Sequence, residues 1–423
     1  MKHDLLILVS VLMMGQRAHS NIAASWDTID TEKVTDSPLY EELEDPFRSV
    51  SKSELWREPS WKKHEEFQIS TALRPAVNFW ISIYSKYPQD KGVIHDSENL
   101  DLIYYVVDFS DINRRSDIHR FRKEHLRKKR VEESKDKVIS AIKKISKVRD
   151  VAQLNEFEKI IFSKIGTFIT PVRAKELIGQ LRFQLGQKDK MIQGIYFSGR
   201  YLADYERLFD SEGLPLELTR LPFVESSFNV MARSKVGASG LWQLMPSVLT
   251  KSEARYRSID LRNFPPIAAQ IAARVLKQNY QILKSWPLAV TAYNHGPGGV
   301  LKLIKLCRSR RLEDLMDKKK CQGKRLGFAS RNFFPSFLAA LEVETNAMAY
   351  FGKVYRAAPL KGRIHSFRKS VSWKTLAEQF GQNHLLLTLY NPHVNYQVTM
   401  GRMMLEPLAP VMLPTFRNSN ENR

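Results

Sequence analysis

Apolar positions recur at three- and four-residue spacing through "AQLNEFEKIIFSKIG", "TPVRAKELIGQLRFQLGQ" and "KDKMIQGIYFSGRYLADYERLFDSEG". That spacing predicts a predominantly helical central region. Punctuation agrees with it: Thr170 before Pro171 reads as an N-cap followed by proline at the first helical position, and Gly213 follows a helix whose last apolar residue is Phe209. Pro215 opens the next helix, and Pro222, inside it, predicts a kink one turn before Glu225. Upstream, "LRPAVNFWISIYSKYPQ" and "NLDLIYYVVDF" read as two short helices, the second equally compatible with a strand. Beyond residue 360 the pattern changes to strand, two short helices and strand, expected to stand apart from the helical body. Residues 21–60 are polar, acidic and broken by Pro38, Pro46 and Pro59, which predicts an extended leader. The first twenty residues combine Lys2, an apolar run from Leu5 to Met14 and Ala18-His19-Ser20, the layout of a secretory signal peptide. That run is short for a membrane span, which needs about 20 apolar residues.

Composition sharpens this picture in two places. A chain of 423 residues can bury a large core in two or three domains. Its formal charge of +21 points to polyanionic partners, and much of the excess lies between Arg114 and Arg149. Nucleic acid is not the expected partner, because that stretch lacks interleaved aromatics, a zinc pattern and a recognition-helix turn. It reads as a solvated helix face, or, in an exported protein, as a contact for an anionic envelope polymer or lipid headgroups. The two cysteines, Cys307 and Cys321, lie far from the cleavage site, so a lipid-anchored start is not expected. After export they could form a disulfide, or remain two thiols on adjacent helices.

Candidate chemistry centres on "RLPFVESSFN", where Glu225 sits among Leu221, Pro222, Phe223, Val224 and Phe228. An apolar setting raises a carboxyl pKa and suits a general acid for glycosidic cleavage. Most glycosidases add a second carboxylate, yet Ser226 to Thr250 contains no Asp or Glu. Alone, Glu225 reads as well as a helix residue facing solvent or pairing with Arg233. Its neighbours change the balance: Ser234 and Lys235, Gly237 and Gly240 for close backbone approach, Trp242 as a flat apolar wall, and Gln243 and Met245. Gln243 is expected to hold a sugar amide or hydroxyl with both ends of its side chain. A third cluster, "WPLAVTAYNHGPGGV", ends an apolar helix with Tyr293, Asn294 and His295 before a glycine turn. It is not a phosphate loop, lacking the preceding strand and Gly-Lys-Ser/Thr, and no His or carboxylate has metal-ligand spacing. His95-Asp96 is assigned to turn chemistry.

"RLPFVESSFN", "SKVGASGLWQLMP" and "TAYNHGPGGV", in that order, resemble the soluble lytic transglycosylase (SLT) family with its lysozyme-like catalytic domain, and within it the membrane-bound D type. The similarity runs from about Phe79 to Glu344. It implies a mainly α fold of the lysozyme-like α+β superfamily, and non-hydrolytic cleavage of the MurNAc-GlcNAc bond of peptidoglycan to 1,6-anhydroMurNAc ends. By motif, Glu225 corresponds to the single catalytic acid and base, and Ser234 to a serine near the muramic acid. Gln243 and Met245 correspond to cleft-lining positions, and Tyr293 and Asn294 to the pair closing the site. The missing partner carboxylate fits, because the substrate's N-acetyl carbonyl or 6-hydroxyl takes its place. Goose-type lysozymes commonly place further acids after the catalytic glutamate.

Two segments depart from the family pattern: "FASRNFF" has Ala329 where an acid near the stem-peptide side is usual, and "SIDLRNFPP" replaces a more acidic loop. The tail "VSWKTLAEQFGQNHLLLTLYNP" resembles a LysM module without its usual Gly-Asp opening. The expected organisation is therefore a signal peptide at 1–20, a polar leader at 21–60, a helical N-terminal region at 61–185 and a catalytic domain at 186–356. A degenerate LysM-like βααβ module at 360–416 completes it. The expected partner is the peptidoglycan glycan strand, in the periplasm of a Gram-negative bacterium, with no nucleic acid, metal or cofactor. The alternatives are a hydrolytic muramidase and a peptidoglycan-binding protein without turnover.

Overall fold

A computed structural model describes residues 53–59, 63–379 and 383–414. The expected signal peptide and nearly all of the expected leader lie outside these residues. The described residues are mainly helical, as the periodicity predicts. They form two compact units that interleave along the chain, one holding Ile192–Ala329 and Thr345–Arg423 with residues up to Phe67, the other Gln68–Met191 and Ser330–Glu344.

The second of these units is built on a three-stranded antiparallel sheet with Lys91–Asp96 in the middle, flanked by Ile103–Asp108 and Leu181–Leu185. "NLDLIYYVVDF" is therefore a strand. "RFQL" is one as well, which corrects the helical reading: the helix Pro171–Gly179 stops, and Leu181, Phe183 and Leu185 then alternate at the period of a strand. The middle strand satisfies its backbone, so pairing overrides the helical pattern seen locally. The basic segment forms one helix, Arg120–Ile145. Val131, Val138, Ala141, Ile142 and Ile145 make a single stripe that packs with Ile94, Tyr104, Val107 and Phe109. Burying each of these larger side chains contributes about 1.5–3 kcal/mol.

His95 belongs to the middle strand, not to a turn. Its ring is fully buried, donates from Nδ1 to the Asp96 carbonyl at 2.9 Å and packs on Phe79. Burial lowers its pKa to about 4. Only Asp96 does turn work, accepting from the amides of Glu98 and Asn99 at 2.7 and 2.9 Å. The "RNFF" segment opens the part of the helix Phe328–Thr345 that belongs to this unit. There Arg331 donates to the Glu98 carboxylate and to the Ser97 carbonyl, and Asn332 accepts from the Trp80 indole at 3.0 Å.

The other unit carries the three motifs. Its scaffold includes the helices Leu202–Ser211, Pro265–Leu283, Trp286–His295 and Pro297–Cys307. Pro222 does not kink a continuous helix. A 3-10 turn, Leu216–Arg220, ends first, and Pro222 lies in the opening turn of a separate short helix, Leu221–Glu225, where a missing N–H costs nothing. Trp242 is fully buried, stacked on Phe209 at 5.6 Å and tilted against Tyr205. It anchors its loop from below and is not a wall presented to a ligand. Cys307 and Cys321 are joined by a disulfide.

The tail contains the strand Gly362–Ser366, helices Trp373–Gln379, His384–Tyr390 and Tyr396–Thr399, and the strand Pro410–Pro414, with its two strands paired antiparallel. It does not stand apart from the helical body as expected. Trp373, Leu376, Leu387, Val398 and Val411 share one buried cluster with Ile259, Leu261 and Phe264.

Candidate active site

Glu225 is the last residue of the helix Leu221–Glu225, with Leu221, Pro222 and Phe223 buried in its preceding turn. The chain then turns sharply through two non-glycine residues with left-handed backbone, Ser227 (φ 53°) and Phe228 (φ 56°). Such residues persist only where the surroundings over-determine them. Here Phe228 folds back edge-on against Phe223 at 4.7 Å. Gly194 leaves room for this turn, since a Cβ there would lie 3.1 Å from both the Phe223 ring and the Ser227 carbonyl oxygen. The turn therefore fixes the direction in which Glu225 projects.

The Glu225 residue is half-buried, and burial of its carboxyl raises its pKa to about 8, from 4.5. Burial alone accounts for the shift, with no charged partner contributing, and Arg233, the partner a structural role would need, is exposed. The next acids along the chain are each held by an arginine. Glu253 accepts from both terminal nitrogens of Arg274 at 2.8 and 2.9 Å, which lowers its pKa. Asp260 takes a two-pronged pair from Arg262 at 3.0 and 2.7 Å. Neither is free to act as a second catalytic carboxylate.

The segment from Ala232 to Met245 is a tight double turn. The Ser234 amide donates to the Ala238 carbonyl and its hydroxyl accepts from the Ala238 amide, both at 2.9 Å. Ser239 and Leu244 exchange amide-to-carbonyl hydrogen bonds at 3.1 Å. Gly240 (φ 78°) is required, because a Cβ would run into the Arg262 carbonyl oxygen. Gln243, itself left-handed (φ 45°), spends its amide Nε2 on the carbonyls of Ala232 and Gly240 at 3.1 and 2.9 Å. This corrects the expectation that both ends of Gln243 serve a sugar, since its donor end holds the loop. Met245 is 39% exposed and so remains presentable to a ligand.

The loop meets the helix Leu221–Glu225 and the third motif through backbone carbonyls. Ser226 Oγ donates to Leu241 at 2.8 Å, and the Tyr293 hydroxyl donates to Trp242 at 2.8 Å. Tyr293 lies near the end of the helix Trp286–His295, followed by Asn294 and by Gly296 (φ 82°). Burial, and then the nearby Glu225 charge, raise the Tyr293 pKa well above its ordinary value, so it stays a neutral donor. Glu225, Ser226, the loop and Tyr293 are thus one connected arrangement. The motif reading missed Asp260, Arg262 and Asn263, which lie behind the loop. Their only sequence signal was that "SIDLRNFPP" departed from the expected pattern.

Residues 210–314 match the family model described as Transglycosylase SLT domain. The Escherichia coli protein named membrane-bound lytic murein transglycosylase D is 30% identical over 146 residues, covering 32% of this chain and 30% of that protein. An Alteromonas protein named for tributyltin chloride resistance is 31% identical over 102 residues, covering 22% of this chain and 47% of that protein. The chain therefore spans less than half the length of either relative.

Proposed function

We propose that this chain, which carries a transglycosylase SLT domain over residues 210–314, is a peptidoglycan lytic transglycosylase. The observation that carries this reading is one carboxyl that burial raises to a pKa of about 8, at the end of the helix Leu221–Glu225, while the next acids along the chain are committed to arginines. At neutral pH Glu225 holds a proton and donates it to the glycosidic oxygen as the bond to C1 of the muramic acid breaks. The resulting carboxylate then accepts the proton of the same sugar's 6-hydroxyl, whose oxygen bonds to C1 and closes the 1,6-anhydro ring. One group serves as acid and then base, and water is not consumed. A burial-raised pKa serves both steps because it lies near the working pH. Tyr293 supports the carboxyl and closes the site with Asn294, while Ser234 and Met245 line the glycan cleft.

An enzyme of this kind works in the cell envelope, consistent with the signal-like first twenty residues and with the name of the Escherichia coli relative. No helix among the described residues is long and apolar enough to cross a membrane. The exposed basic face of Arg120–Ile145 adds peripheral attraction to anionic envelope surfaces. The test is mass spectrometry of the products released from purified sacculi. Anhydro ends support the reading; products one water heavier, with reducing ends, would make the chain a muramidase.

A further inference from the structure

The tail and the active-site loop have no sequence neighbourhood in common, yet both are bonded to the segment Tyr256–Phe264. On one side, Arg262 donates to the carbonyls of Gly237 and Leu244 at 2.6 and 3.1 Å, its own carbonyl abuts Gly240, and Ser239 Oγ donates to Asn263 Oδ1 at 2.7 Å. Asp260 holds the Arg262 guanidinium in place for this. On the other side, Glu406 accepts from the amides of Arg257 and Ser258 and from the Ser258 hydroxyl at 2.7, 2.9 and 2.8 Å. Burial opposes ionisation of Glu406, but these hydrogen bonds prevail and keep it charged. The Asp260 amide donates to the His393 carbonyl at 2.8 Å, the Asn395 amide to the Ser258 carbonyl at 2.8 Å, and the His393 ring stacks on Phe264 at 3.9 Å.

We infer that the C-terminal module is a fixed buttress of the active-site loop, acting through Tyr256–Phe264, with Arg262 and Glu406 as positioning residues. The physical case rests on what the loop lacks. It contains two left-handed glycines, Gly237 and Gly240, and a left-handed Gln243, and the backbone carbonyls of Gly237 and Leu244 take their side-chain donor from Arg262. Each ordered residue costs about 1–2 kcal/mol of backbone entropy. Arg262 meets the loop from outside at two carbonyls, and a planar fork suits that task better than an ammonium. Asp260 holds the Arg262 guanidinium, and the segment that carries both is clamped to the tail through Glu406, His393 and Asn395. Loop geometry is then transmitted to the reacting groups through Leu241 to Ser226 and through Trp242 to Tyr293. A tail fused in this way cannot act as a freely tethered glycan-binding appendage.

This inference rests on the proposed function only for its kinetic arm. In the full chain, Arg262→Lys and Glu406→Ala are expected to speed hydrogen exchange at the amides of Ser239, Gly240 and Leu244 at least tenfold. Exchange in the helix Pro265–Leu283 should stay unchanged. Both substitutions should lower kcat for anhydro-product release from sacculi about tenfold with little change in KM. Co-sedimentation with sacculi, measured in a Glu225→Gln background, should be unaltered. Loop exchange as slow as in the parent chain overturns the buttress whether or not the chain proves to be a lytic transglycosylase. So does the opposite kinetic split, weaker sacculus binding and a raised KM at constant kcat, which would make the tail a glycan-binding module. Lowered thermal stability with kcat per folded molecule intact also overturns it, leaving the contacts a purely structural role.

Discussion

The stretch from Glu225 to Leu244 and the helix Arg120–Ile145 are opposite solutions to placing polar residues in a fold. The helix carries eleven lysines and arginines against four acids, in regular geometry, and packs chiefly through one apolar stripe. The stretch after Glu225 carries no acid and two cations, has three left-handed non-glycine residues, and is held by hydrogen bonds to backbone carbonyls together with the buried rings of Phe228 and Trp242. Charge density marks the part that meets solvent. The proposed chemistry sits where charge is scarce, because a carboxyl is perturbed most when nothing nearby screens or pairs it.

The largest expected effect breaks that contrast at its centre. Glu225→Gln should reduce anhydro-product release roughly a thousandfold, the scale of general acid and base catalysis, with circular dichroism unchanged. In the parent chain, kcat/KM should fall by a factor approaching ten per pH unit as pH rises through about 8, as the acid form is lost. Stability has the matching sign. The native carboxyl keeps a proton that the unfolded chain gives up, so the parent loses stability as pH rises from about 4.5 through about 8, by about 1.4 kcal/mol per unit of pKa displacement. Glu225→Gln should therefore melt above the parent at pH 9 and converge with it near pH 4.

A second effect concerns the support of the site-bearing unit. Reduction, or Cys307→Ser with Cys321→Ser, releases a closure of sequence separation 14, worth about 3 kcal/mol in the chain-entropy description. Denaturant unfolding should show that loss. Next comes Gly240→Ala, which combines a left-handed backbone with a Cβ driven against the Arg262 carbonyl. It should cost about 2 kcal/mol and depress activity beyond the stability loss. The smallest effect lies on the helix. Lys128→Glu with Lys129→Glu, on its exposed face, should change stability by under about 0.5 kcal/mol. It should weaken low-salt association with anionic vesicles or sacculi, and leave kcat on short soluble glycans untouched. A loss of kcat there would show that the two regions are less independent than their contrast suggests.

Much was legible beforehand because it is encoded locally. The 3.6-residue periodicity marked the helices, Thr170 capped where expected by accepting from the Arg173 amide, and the apolar frame of Glu225 is formed largely by its chain neighbours. What misled were residues whose role depends on partners far along the chain. Leu181–Leu185 is a strand because Lys91–Asp96 offers it hydrogen bonds. Trp242 is core because Phe209 and Tyr205 wait beneath it, and the buried strand residue His95 packs on Phe79 of the helix Arg74–Ser85.

The sequence by itself determined the helical character, the basic stripe and the identity of one acid in an uncharged, glycine-rich setting, since each is written in adjacent residues. Only the tertiary structure decided which polar groups remain available for chemistry. Glu253, Asp260 and half of Gln243 are spent on partners, and Glu406 reaches Ser258 across 148 positions. Hydrogen bonds and burial are properties of positions in space, and over such separations no local pattern specifies them.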